Sequence, residues 1–390
     1  MTEGFLFAPS SCYPTPVAYL VDRAGTPLHR WSNPIHQPSP ADDPPNFLRG
    51  WNHVEVDGAG NLFAVVPSRS LLKLTPDSRL AWSCDVAAHH DIAVDTDGYV
   101  HVLTEAPRRV TLDGRSFVVQ DNMVAVVAPD GTLLRETSLY DVLRTDAGLR
   151  DVIDASTRRR ADDFRRRGWP VPGDDVPAAV AAETAAILAT GRYEGERRRA
   201  LRRLRELPGR PCDVLHTNTL ELLADHPRGV WDRGDVLVGM RDLDTIAVLN
   251  LARGEVRWWW GPGTLSGPHQ PSMLPDGQVL VFDNGAAVGR SRVLVVDPAA
   301  GEVVWSWSAD PPESFFCPIA GGCERLPAGT ILVTKANATG GGAFELTADG
   351  RVVWDLTLPV DVYGADRGRV SIYRMSAVDP AVVAHLVATT

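Results

Sequence analysis

An all-β fold is what this sequence predicts, and three observations predict it. Among 390 residues the chain carries 34 Gly, 30 Pro and 11 Trp, a turn-rich composition that suits many short strands better than helices. An alternating apolar strand, a turn of Asp, Pro or Gly type and a second strand usually ending in Trp recur six times, as in LLKLTPDSRLAW, VLVVDPAAGEVVW and FELTADGRVVW. The turn anchors of these copies, Gly25, Ser78, Gly131, Gly254, Gly301 and Gly350, stand 53, 53, 123, 47 and 49 residues apart. Removing residues 140 to 211 from the long gap leaves 51 and restores the period.

A period near 50 with hairpins in every unit indicates a six-bladed β-propeller, in which each four-stranded sheet covers its apolar faces with its neighbours. The expected organisation is a single domain over 1–390, with 140–211 as a helical insertion. Trp82, Trp258, Trp305 and Trp354 each follow an anchor by four residues and are expected to pack between blades. Between these outer hairpins lies an inner set, beginning WNHVEV, HHDIAV, HTNTLELL, HQPSML and CERLPAG. That set supplies five blades. The sixth is expected to combine the C-terminal SIYRMSAV, innermost, with the N-terminal GFLFAPS beside it, so the ring closes with strands from both ends.

The insertion reads as helices, from the Ala-rich VPAAVAAETAAILA and the basic ERRRALRRLREL. It holds 16 Arg against 12 acids, leaving 23 basic and 37 acidic residues elsewhere, so a positive lid is set on a negative body. It enters just before the strand carrying His216 and should emerge over the same end of the ring.

The net charge of −10 argues against broad binding to nucleic acid or anionic membranes and favours a small-molecule partner. Neither an apolar run of membrane-spanning length nor a leader-like start is apparent, so a cytoplasmic protein is expected. The five cysteines are expected as thiols. Oligomeric state is not legible.

In a propeller the innermost strand of each blade starts at one mouth of the channel and its hairpin partner returns there. The starts supply His53, the pair His89 and His90, His216 and His269; the returns supply Arg241, Asn284 and Lys335 among others. Titratable groups converging in a concave site are the usual signature of chemistry. The bland counterpart is a polar network that only fills the channel. Zinc held by His90, His216 and His269 is a further alternative.

The order HHD, then DVLHTN, then an Arg ending the next strand, then PHQPSMLPDG and VLVFDNG resembles the nucleotide-independent arylsulfate sulfotransferases, six-bladed propellers with active-site histidines and an arginine in the channel. The resemblance spans roughly residues 50 to 310. It implies transfer of a sulfuryl group from an aryl sulfate to a phenol through a sulfohistidine. A role in small-molecule biosynthesis is a separate expectation, from the departures of this chain from periplasmic relatives. His269 matches the nucleophile, His216 and Arg241 match groups holding the sulfuryl oxygens, and His90 or its neighbour His89 supplies a further histidine. His89, Asn218, His53, Lys335 and Asn284 are expected as substrate contacts. No cofactor is required for the transfer, and calcium in the channel is implied by the resemblance alone. Where family members often place an acid after the nucleophile, this chain has Gln270. The alternatives are a relative with a changed reaction on an aromatic or anionic small molecule, and a non-catalytic propeller binding a partner on its rim.

Overall fold

The computed structural model describes residues 3–9, 16–33, 50–166, 212–336, 341–363 and 370–389. Six sheets form a ring of blades, antiparallel apart from the short strand Cys212–Asp213, which pairs parallel with Arg115–Val127. Blade 1 joins the two ends of the chain: Ile372–Val378 is innermost and pairs with Gly4–Pro9, with Phe5 opposite Ala377 and Phe7 opposite Met375. The other innermost strands are Val54–Val56, Ala88–Val94, Thr217–Leu222, Pro268–Met273 and Gly322–Arg325, for blades 2 to 6 in chain order.

All six anchors adopt positive φ, from 67° at Ser78 and Gly254 to 90° at Gly131. Five are glycines, which enter that region without a Cβ clash. The exception, Ser78, accepts the Ser32 N–H on its Oγ at 3.1 Å and so ties blade 1 to blade 2.

The tryptophans close the blade interfaces. Indole N–H groups reach the outer turn of the next blade, Trp82 donating to Pro129 O at 2.9 Å, Trp260 to Gly301 O at 3.0 Å and Trp305 to Ala348 O at 3.0 Å. Trp354 donates to Arg23 O at 2.9 Å across the seam between blades 6 and 1, while its ring stacks on Phe5. Trp258 packs into the core between blades 4 and 5. Trp82, Trp260, Trp305 and Trp354 thus bury apolar area and satisfy a turn carbonyl at once.

Blade 3 departs from the plain repeat. Its middle strands, Val100–Leu112 and Arg115–Val127, run thirteen residues each and project beyond the blade to a tight turn at Asp113 and Gly114, both at positive φ. Against this extension pack two helices, α1 (Leu139–Leu143) and α2 (Ala147–Arg166), sharing a core of Leu112, Phe117, Leu139, Leu149 and Ile153. The described part of the insertion is therefore helical; the Ala-rich and basic segments at 176–189 and 196–207 lie outside the described residues. Among the described residues no helix is long and apolar enough to cross a membrane.

Candidate functional site

The site is built where the backbone departs from the pleat. His90 and His216 stand at φ 54° and 48°, beside register breaks at the start of the innermost strands of blades 3 and 4, and Gln270, just after His269, stands at 44° in blade 5. Left-handed geometry at a non-glycine residue carries strain and re-aims the neighbouring side chains, here at the channel mouth.

His269 is buried at 2% exposure, and its Nδ1 lies 3.2 Å from Gly267 O and 2.5 Å from Asn284 Oδ1. The Asn284 amide is fixed by its Nδ2, which donates to the carbonyls of Cys317 and Ala320, so its oxygen faces the imidazole. Both neighbours of Nδ1 are acceptors. Nδ1 therefore carries the proton and Nε2 the lone pair. Burial, reinforced by the Arg241 guanidinium and His216, pushes the pKa of His269 down to about 3. Asn284, expected as a substrate contact, is fully buried and orients His269 instead.

His216 carries the opposite bias. Burial opposes its charging, but the Asp213 carboxylate, 2.6 Å from Nδ1, and the nearby Asp242 outweigh that and raise its pKa. Asp213 Oδ1 also accepts the His216 backbone N–H at 3.1 Å, locking the loop that presents the ring. Arg241 follows the next strand, its N–H donating to His216 O at 3.1 Å and its Nη1 to Asp242 Oδ1 at 2.7 Å. The Arg241 stem runs beside Gly267, two residues before His269. Asp213 is absent from the sequence-derived set, although its spacing of three before His216 is a readable signal.

Of the pair at 89 and 90, His90 faces the bore. His89 Nε2 donates to Thr104 O at 3.1 Å, so its Nδ1 accepts from His90 Nδ1, 2.8 Å away. The lone pair of His90 is then on Nε2, and its ring lies 5.0 Å from that of His216. His89 acts as a buried support with its own pKa lowered by burial.

The C-terminal strand floors this mouth, and no sequence argument assigned it a role there. Tyr373 donates its hydroxyl to Asn218 O at 2.8 Å, which joins blade 1 to the opposite blade 4. Its ring lies 5.6 Å from His90 and 6.2 Å from His269. Deeper, Arg374 spans to blade 3 and grips both Asp91 oxygens at 3.1 Å. Burial pushes the acids of this layer up, Glu221 to about 8 and Glu324 to about 7, with Arg374 acting against that shift. A calcium ion requires six to eight oxygen ligands around one point, whereas a guanidinium occupies this acidic layer, so the residues here do not fit calcium. Asp213, His216 and Asp242 also place potential ligand atoms within 4.8 Å of one another. Each already holds a strong partner, Asp213 with His216 and Asp242 with Arg160 and Arg241.

Three expected substrate contacts are redirected. Lys335 turns away from the mouth to Asp355 Oδ1 at 2.5 Å and Thr357 Oγ1 at 3.1 Å, passing over Gly342, its register partner, which offers no side chain in the way. Asn218 is fully buried and spends its amide on Pro268 O and the Thr219 hydroxyl, holding blades 4 and 5 together. His53 lies among the deep acids, its Nε2 2.9 Å from Glu55 and 3.3 Å from Asp91. What the mouth keeps is His269, His216, Arg241 and His90.

Fold and site together define a six-bladed propeller with histidines and an arginine gathered at one mouth of its channel, around a tyrosine of the closing strand. Within that class the chain is similar to the arylsulfotransferase (ASST) family, whose model matches residues 185–358. The matched segment contains His216, Arg241 and His269; His90 lies outside it. No curated protein matches the chain. Among solved structures, a protein of unknown function from Bacteroides caccae is similar at TM-score 0.52 and 12% identity, covering 97% of this chain and 99% of that one. The periplasmic gluconolactonase of Pseudomonas aeruginosa aligns at TM-score 0.46 and 14% identity over 97% and 99% of the two chains. At these identities the likeness of the first concerns the fold alone.

Proposed function

We propose that the pocket transfers a sulfuryl group from an aryl sulfate to a phenolic acceptor through a sulfohistidine at His269. The observation that carries this reading is the pairing of a neutral imidazole, its Nδ1 proton pinned by Asn284 and Gly267, with an imidazolium biased toward charge by Asp213. The two imidazoles are biased in opposite directions, as a nucleophile and an acid require. The family match supports the same class of transferase.

In the first half-reaction His269 Nε2 attacks sulfur, the N–S bond forms and the S–O bond to the aryl group breaks. The leaving phenolate takes the Nε2 proton of His216. Arg241 holds the equatorial oxygens as negative charge spreads over them, as cationic groups do in phosphoryl transfer. In the second half-reaction the acceptor hydroxyl gives its proton back to His216 Nε2, its oxygen attacks sulfur, and the N–S electron pair returns to His269. Tyr373 closes the bore beneath, so both exchanges use one mouth and follow ping-pong order.

Steady-state kinetics with 4-nitrophenyl sulfate and a second phenol test this. Parallel lines in double-reciprocal plots, lost in His269→Ala, support it; intersecting lines, or turnover retained by His269→Ala, overturn it.

A further inference from the structure

The helical insertion reaches the site through α2. On α2, Arg160 pairs with Asp242 Oδ2, while Asp242 Oδ1 receives Arg241 Nη1 at 2.7 Å. Asp242, only 9% exposed, therefore lies between two guanidiniums, one in the pocket and one on the insertion. An arginine in the pocket whose sole neighbour was this carboxylate would be largely neutralised, a poor seat for an anion.

We propose that Arg160 is a positioning residue that keeps the donor site cationic, so that the insertion sets the affinity for the sulfate monoanion. The inference rests on the sulfuryl-transfer reading. With Arg160 present, the Asp242 carboxylate is shared between Arg160 and Arg241, and the three groups together carry one positive charge for a monoanionic donor. Without Arg160, Asp242 and Arg241 sum to zero, and Asp242 competes undiluted with the donor for Arg241.

Arg160 touches no reacting atom, so its removal acts on binding. Arg160→Gln is expected to raise KM for 4-nitrophenyl sulfate about tenfold and leave kcat within about twofold. Arg160→Lys restores most of the loss, and adding Asp242→Asn to Arg160→Gln restores it too, because the charge sum is again positive. A KM unchanged in Arg160→Gln, a fall in kcat alone, or a double variant no better than the single one would overturn the proposal. The sulfuryl reading fails separately, if the unmodified enzyme releases no phenol. In that event calorimetry with inorganic sulfate still decides: Arg160→Gln binds about tenfold more weakly and the double variant recovers if Arg160 acts as proposed, and equal affinities refute it.

Discussion

Replacing Asp213 with Asn keeps an acceptor for the His216 backbone N–H but removes the carboxylate 2.6 Å from its Nδ1. A charge-assisted hydrogen bond of that kind is worth about 1.5–3 kcal/mol. Losing it lowers the His216 pKa, because the carboxylate is what outweighs burial. The basic limb of kcat, where the imidazolium loses the proton destined for the leaving phenolate, should move to lower pH. Stability carries a second signature with a fixed sign. Because the folded pKa is raised, the pair contributes fully below the unfolded value near pH 6.5, and the contribution fades as pH rises through the folded value. Asp213→Asn should therefore cost about 1.5–3 kcal/mol in mildly acidic buffer and clearly less in alkaline buffer. Chromatographic quantification of released phenol across pH, with urea unfolding at two pH values, reads both effects. A limb that does not move, or a stability loss equal at both pH values, would refute the assignment of His216 as the acid.

Other expectations follow from the same geometry. Asn284→Ala frees the His269 Nδ1 proton from its short partner and should lower kcat about 10- to 100-fold, with KM for the donor little changed in initial-rate measurements. His269, held neutral with its pKa near 3, makes the fold acid-sensitive: the unfolded chain gains a proton below about pH 6.5 that the folded chain refuses, so stability falls between those values. His269→Phe should flatten that slope in acid unfolding curves. Lys335→Met should leave KM for the aryl sulfate unchanged while lowering stability by about 1 kcal/mol, since its ammonium serves Asp355 and Thr357.

The ring was legible because its signals are local. Each anchor combines a turn with positive φ, and four of the six carry a tryptophan four residues beyond, so spacing alone fixes the blade count. The closing strand pair was legible for the opposite reason: five complete units left only the two ends to make a sixth. Histidines at strand starts could be brought together because topology, not side-chain detail, delivers them to one mouth. Side-chain direction was not legible. Lys335 ends the expected strand, yet the gap over Gly342 lets it reach an outer-strand acid, and no spacing rule reveals that. Asn218 and Asn284 have the composition of substrate donors, but full burial commits their amides to neighbouring carbonyls. Tyr373 and Arg374 were visible only as part of a closing strand, and their place across the bore depends on partners in blades 3 and 4 far away in sequence. The long hairpin of blade 3 carried an unread signal, Asp113-Gly114, the pair favoured in tight hairpin turns.

Mass spectrometry of the intact protein, quenched in acid-free denaturant after mixing with an aryl sulfate in the absence of acceptor, measures the central claim directly. The account predicts one added sulfuryl group, mapped by fragmentation to His269, discharged by a phenol and never formed by His269→Ala. An unmodified mass while phenol is released, or an adduct on any other residue, would contradict it.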